Sequence, residues 1–223
     1  MIKAVVFDLD DTLISEMDYV RSGYQHISQI ISDKYLKKQS EVYDLLIKLF
    51  NESSKNVFNR LLDNMDISYS ESDVKKLVEE YRNHFPDIDF FEDVVPCLNM
   101  LKSHGIKTGI ITDGYASGQR KKLSAISADA YFDEIIVTDE IGRDYWKPHP
   151  RAFELLVRKY DICFNEMVYV GDNPAKDFFI SSIYPLKTIR IYRNNGMHVN
   201  KSYLYNIKES ESIFTLKELN IQM

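Results

Sequence analysis

Asp8, Asp10 and Asp11 fall within one turn's length of chain, directly after the apolar run Ala4-Val5-Val6-Phe7. Carboxylates this close repel one another, and a plain turn could be made with Asn-Gly instead. The preceding run reads as a buried strand, so the acids are held at its mouth. A cation, a reaction, or both must account for them. Further polar residues follow later apolar runs: Thr112-Asp113-Gly114, then Trp146-Lys147-Pro148-His149-Pro150, then Gly171-Asp172-Asn173-Pro174 with Asp177 just beyond. Asp8, Asp10 and Asp172 converging at one point would be unfavourable unless a hard divalent ion joined them. Magnesium, which takes oxygen ligands and pairs carboxylates with substrate phosphate, fits that need. The ensemble suits phosphoryl transfer: the metal and Lys147 offset phosphate charge, while Thr112 and nearby backbone N–H groups grip its oxygens. Asp8, first off the strand, is best placed to attack and form an aspartyl-phosphate. Asp10, on the same face if strand geometry persists, would protonate the leaving alcohol and then deprotonate the attacking water.

The elements that must position these residues are legible in outline. Short β-branched runs at 4–7, 106–112, 135–138, 167–171 and 187–192 alternate with helical spacings such as Val95, Leu98, Leu101 and Phe153, Leu156, Tyr160. Such alternation predicts βαβ units and a parallel sheet, in which ligands bind beyond the carboxyl ends of the strands. Gly105 is expected as a helix C-cap and Pro150 in the first turn of the helix carrying Phe153. Residues 15–92 show helical patterns alone: Tyr43, Leu46, Ile47, Phe50; Val57, Leu61, Leu62; Val74, Leu77, Val78, Tyr81. Breakers at Asn51–Ser54 and Ser68–Ser72 separate them. This block is expected to form a helical subdomain inserted after the first strand, its apolar stripes serving as core.

With 223 residues, 44% of them hydrophobic, the chain can bury one sizeable core and a smaller accessory unit. A mean hydropathy of -0.31 and the lack of an 18-residue apolar run argue against a membrane span. No leader pattern follows Met1, so a cytoplasmic protein is expected. The net charge of -6 argues against nucleic acid as a partner. The run Arg120-Lys121-Lys122 is expected to be a solvated helix face, and Cys97 and Cys163 buried reduced thiols.

These residues resemble the haloacid dehalogenase-like hydrolase superfamily. Its DxDx[TV] motif is matched by Asp8-Leu9-Asp10-Asp11-Thr12, its strand-ending Ser or Thr by Thr112, its Lys-Pro by Lys147-Pro148, and GDxxxxD by Asp172 and Asp177. The resemblance covers the chain up to about residue 200. It implies an α/β fold with a Rossmann-like core over 1–14 and 93–223 and a helical cap over 15–92. Asp8 would be the nucleophile and Asp10 the general acid/base. Asp8, the Asp10 backbone carbonyl and Asp172 would bind Mg²⁺; Thr112 and Lys147 would hold the phosphoryl group; Asp177 would position Lys147 or a metal-bound water. Dehalogenases lack the second acid of the first motif, and Asp10 is present here, so the resemblance implies a phosphatase. The stretch Thr112 to Leu123 and Tyr131-Phe132-Asp133 is similar to members acting on sugar phosphates and nucleoside monophosphates. A catalytically silent binding protein and a sugar phosphomutase are the alternatives.

Several residues carry plainer readings. Asp113 stands where many relatives have Asn, within the phosphate-binding stretch; it either faces the site or, as expected here, caps the following turn. Asp172 could cap a helix opened by Asn173-Pro174. His149, between two prolines, is expected to be a loop residue, and Trp146 to pack beside Lys147. Substrate choice is expected from the cap, with Asp18, Tyr19, Arg21 and Tyr24 as candidates. Oligomeric state is not encoded in any pattern found.

Overall fold

The structure is a computed structural model and describes residues 1–221. The β-branched runs form one sheet from β1 (Ala4–Phe7), β2 (Lys107–Thr112), β3 (Glu134–Val137), β4 (Met167–Gly171), β5 (Lys187–Ile191) and β6 (Glu211–Ile213). All neighbours pair in parallel, in the order β3-β2-β1-β4-β5-β6. The order of connection reverses at β1, so a crevice opens beyond the carboxyl ends of β1 and β4. Parallel strands covered on both faces read as unbroken apolar runs, as β1 and β4 do, with every residue buried. This is the α/β, Rossmann-like architecture expected from the sequence. The strand β6 was not anticipated, because three residues reading Glu-Ser-Ile carry no strand signal.

Helices cover the sheet. On one face Ala4, Val6, Ile111, Met167 and Tyr169 meet Ala152, Phe153 and Leu156 of helix Arg151–Tyr160, whose apolar residues recur at helical spacing. Phe153 and Tyr169 pack edge to face with centroids 4.9 Å apart. On the other face Phe7 meets Phe132. Pro150 immediately precedes that helix, and Gly105, at φ +71°, follows the end of Val94–Ser103 in the left-handed conformation glycine tolerates best. Two smaller expectations fail. No α-helix follows Asn173-Pro174; the chain instead turns through 173–178 into a short 3-10 turn, Phe179–Ser182, so Asp172 caps no helix. Cys97 is buried as expected but Cys163 is exposed.

The chain divides into two compact units, Met1–Met17 with the segment from Ile88 on, and Asp18–Asp87. The helical unit is shorter at both ends than the 15–92 block. Ile14 bridges to Phe90, Phe91 N–H donates to Leu13 O at 2.9 Å, and Asp93 pairs with Arg193, which ties these residues to the sheet unit. The second unit holds most of the helix Glu16–Tyr35 together with Gln39–Glu52, Val57–Asn64 and Glu71–Asn83. Ser70 opens the last of these with a reciprocal capping box to Asp73. Tyr24 packs against Phe50, Phe58 and Tyr81, and Tyr19 against Tyr81 and His84. Tyr19 and Tyr24 are therefore core of this unit, whereas Asp18 and Arg21 are exposed and paired with each other at 2.9 Å. Among the described residues no helix is long and apolar enough to cross a membrane.

Candidate active site

β1 ends at Phe7, and Asp8 continues its line, its N–H donating to Val170 O of β4 at 2.8 Å. Its carboxylate is buried and accepts from Lys147 Nζ at 2.5 Å. The same ammonium lies 2.8 Å from Asp177 Oδ1 and donates to the Tyr169 hydroxyl at 2.7 Å. Asp177 is fixed in turn by the Tyr169 hydroxyl at 3.2 Å and by Asn173 N–H at 2.9 Å. One carboxylate oxygen each of Asp8, Asp172 and Asp177 falls within 4.8 Å of the others. Asp172 Oδ1 is buried and has no hydrogen-bond partner.

The charges explain one another. Burial pushes the Asp8 carboxyl up, Lys147 pulls it down and Asp177 pushes it up again, leaving it at about 6. Asp172, with no cation of its own beside it, is raised well above the carboxylate range by burial, Asp8 and Asp177. Burial would also raise Asp177, but Lys147 and Lys176 outweigh it and hold it below the usual value. For Lys147 burial favours loss of the proton, yet Asp177, Asp8 and Asp113 more than compensate and keep it charged. A hard cation would let Asp172 ionise and would give its bare oxygen a partner. The all-oxygen donor set suits such an ion.

Asp10 turns elsewhere. Its two oxygens accept from Lys122 Nζ at 2.7 Å and from Gln119 Nε2 at 2.9 Å. Burial alone would raise it, but these two donors hold it below the ordinary carboxylate value. Lys122 is thus a buried partner of Asp10, while its neighbours Arg120 and Lys121 are exposed, which corrects the expectation of a wholly solvated basic run. Gln119 and Lys122 share one face of helix Ala116–Ala125, three residues apart, and Gln119 also reaches Thr112 Oγ1 at 2.9 Å. Thr112, the last residue of β2, is fully buried.

Asp113 caps nothing: Asp139 Oδ2 accepts the Ala116 N–H at the start of that helix instead. The Asp113 carboxylate accepts from Thr138 Oγ1 at 2.7 Å and Lys147 N–H at 3.1 Å, and pairs with half-buried Lys176 at 3.2 Å. It therefore braces the loop that carries Lys147. His149 sits in that loop and accepts from Arg151 N–H at 3.1 Å, and Trp146 packs edge-on against Tyr115. The structure thus gathers Asp8, Lys147, Asp172 and Asp177 into one buried cluster. Asp10 and Thr112 are linked to each other through Gln119, and Asp113 is linked to Lys147. Tyr169, Lys176, Gln119 and Lys122 were not anticipated. A signal existed for two of them, the i, i+3 spacing of Gln119 and Lys122.

The family model described as haloacid dehalogenase-like hydrolase matches residues 5–191. This chain belongs to the haloacid dehalogenase-like hydrolases. The hydrolase is 30% identical over 200 residues to a glyceraldehyde 3-phosphate phosphatase of Methanopyrus kandleri, covering 86% of this chain and 85% of that one. It is 26% identical over 178 residues to the pyrophosphatase PpaX of Bacillus cereus, covering 77% and 75%. Among solved structures its fold is similar to a HAD phosphatase from Thermococcus onnurineus, with a TM-score of 0.61, 24% identity and coverage of 97% and 95%. It also matches a HAD-superfamily hydrolase of subfamily IA from Geobacter sulfurreducens, with a TM-score of 0.67, 18% identity and coverage of 97% and 94%.

Proposed function

We propose that this hydrolase is a magnesium-dependent phosphatase that cleaves a small phosphorylated metabolite through an aspartyl-phosphate. The observation that carries the reading is a single buried ammonium, Lys147 Nζ, shared by Asp8 at 2.5 Å and Asp177 at 2.8 Å beside the unpartnered Asp172 Oδ1. Lys147 keeps Asp8 ionised and aimed, as a nucleophile must be. Asp8, Asp172 and the Asp10 carbonyl would hold the magnesium ion, with Asp177 beside them; the ion would offset the negative charge of the phosphoryl group.

An Asp8 oxygen forms a bond to phosphorus as the ester oxygen departs with a proton from Asp10. Asp10 then takes a proton from water, whose oxygen attacks the phosphorus and returns Asp8 as a carboxylate with release of phosphate. Lys122 and Gln119 favour ionised Asp10, the form the second half-reaction needs. Thr112, presented by the end of β2, would donate to a phosphoryl oxygen. The glyceraldehyde 3-phosphate phosphatases among the relatives support a sugar-phosphate class of substrate. The helical unit would act as the cap.

Phosphate release from para-nitrophenyl phosphate, with and without magnesium, tests the reading. Release should depend on the metal and vanish in Asp8→Asn. Turnover that is absent from a broad panel of esters, with Asp8→Asn indistinguishable from the parent, would support a silent binding protein instead.

A further inference from the structure

Arg193 lies just past the end of β5, and its side chain is buried against the loop that follows Asp8. Nε and Nη2 both donate to Thr12 O, at 3.1 and 2.8 Å, and Nη1 donates to Asp93 Oδ2 at 2.6 Å. That one Asp93 oxygen also accepts from Thr215 Oγ1 at 2.7 Å and from Leu216 N–H at 2.8 Å. The guanidinium carbon sits 4.3 Å from the centroid of the Phe91 ring. Stability alone is a poor reason for a buried ion pair, since well-packed apolar side chains would serve as well. Apolar side chains could not, however, grip the Thr12 carbonyl.

The grip falls on the turn that carries Asp10. The N–H groups of Thr12, Leu13 and Ile14 all donate to Leu9 O, at 3.3, 2.8 and 3.2 Å. Closing the chain there puts Asp11 in the left-handed region, at φ +50°, which a residue with a side chain normally resists. The segment after β5 holds that residue too: Met197 N–H donates to Asp11 Oδ2 at 2.7 Å, while Glu16 N–H donates to Oδ1 at 2.9 Å. Two consecutive residues, Asp11 and Thr12, are thus clamped from 193–197. Asp10 is the next residue along, with its carboxylate on Lys122 and Gln119. A group that passes a proton to a departing oxygen must lie within hydrogen-bond reach of it, and a small displacement is costly in rate.

We propose that Arg193 is a positioning residue: by tying the Thr12 carbonyl to Asp93 it sets the turn over residues 9–14 so that Asp10 reaches the leaving-group oxygen. This rests on the phosphatase reading and adds to it a part for the chain beyond β5. In the step concerned an Asp8 oxygen bonds to phosphorus, the bond from phosphorus to the ester oxygen breaks, and Asp10 gives that oxygen its proton. An alkoxide needs the proton. Para-nitrophenolate is a stable anion and departs without it. Misplacing Asp10 therefore slows sugar phosphates more than para-nitrophenyl phosphate, whereas a mere loss of folded protein slows both alike.

The test compares kcat/KM for para-nitrophenyl phosphate with that for the sugar phosphate the full chain cleaves fastest from a panel, with magnesium present throughout. The ratio of sugar ester to aryl ester is read within one preparation, so the folded fraction cancels. Arg193→Met should lower that ratio by about tenfold or more. Arg193→Lys keeps a cation for Asp93 but loses the fork on Thr12 O, so it should fold more readily and lower the ratio only several-fold. Asp10→Asn should lower the same ratio, and Arg193→Met added to it should lower it no further. A ratio unmoved in both Arg193 variants, or a fall as large with Asp10→Asn as without it, would overturn the inference and leave the phosphatase reading intact. A parent that cleaves no sugar phosphate would also overturn it, and one that cleaves neither class of ester would remove the phosphatase reading as well.

Discussion

Lys147 serves two carboxylates with one ammonium, and the pH dependence of activity should follow from that sharing. Asp8 sits at about 6, raised chiefly by burial, and as the proposed nucleophile it would have to be ionised to attack. Activity carried by it is therefore complete above that value and falls as pH drops through it. The acid limb of kcat/KM should lie near pH 6 at limiting magnesium and move lower when the metal is saturating, which a pH–rate series at two metal concentrations would show. Lys122 lends itself to a stability measurement. Its side chain and that of Asp10 are both largely buried, so Lys122→Met strands a carboxylate and should cost about 3–5 kcal/mol in urea unfolding, with Lys122→Arg recovering part of the loss. At this scale the sequence was informative where a motif fixed spacing, as at Asp8, Asp172 and Asp177. It was silent where a contact joins distant segments. Only its i, i+3 spacing from Gln119 sets buried Lys122 apart from exposed Lys121, and that spacing does not say which face of the helix turns inward. The side chain of Asp113, likewise, is directed by Thr138, Lys147 and Lys176, all remote in sequence.

β4 does more than pair with β1. Its last residue, Gly171, packs so closely on Asp177 that an added Cβ would lie 2.6 Å from Asp177 Oδ2 and 2.8 Å from its Cγ. Gly171→Ala must displace Asp177, and with it the second partner of Lys147, without altering the chemistry of any proposed catalytic side chain. A shift of that kind should lower kcat/KM by about a hundredfold with a far smaller change in thermal midpoint, a split readable from kinetics and calorimetry on one sample. Strands of this sort were legible because a doubly covered parallel strand leaves a dense β-branched run. β6 and the turn at 173–178 were not. The first is specified by its neighbour β5 rather than by its own residues. In the second, Asn173-Pro174 carries the composition of a helix start, but Asp177 accepts the Asn173 N–H and folds the segment into a turn instead.

The molecule as a whole pays electrostatically for the buried acids Asp8, Asp172 and Asp177, and a bound cation should return that cost as stability. Magnesium at about a hundred times its dissociation constant should add about 2.7 kcal/mol to unfolding, seen as a rise in thermal midpoint that Asp172→Asn abolishes. The β-branched runs disappear after residue 15, and Asp18–Asp87 forms a compact helical unit of its own. The compact helical unit is narrower than the 15–92 block, because residues 15–17 and 88–92 group with the sheet unit, Phe90 through its bridge to Ile14, and no composition shift marks that change. The placing of β1 at the middle of the sheet has a kinetic side. Ala4 pairs with Lys107 on one flank and Met167 on the other, so the earliest strand is also among the last to be enclosed. A polypeptide cut short anywhere before Met167 would leave that apolar ribbon with an open edge, free to recruit strands from other molecules. Truncation should therefore yield inclusion bodies and chaperone clients rather than a weakened enzyme.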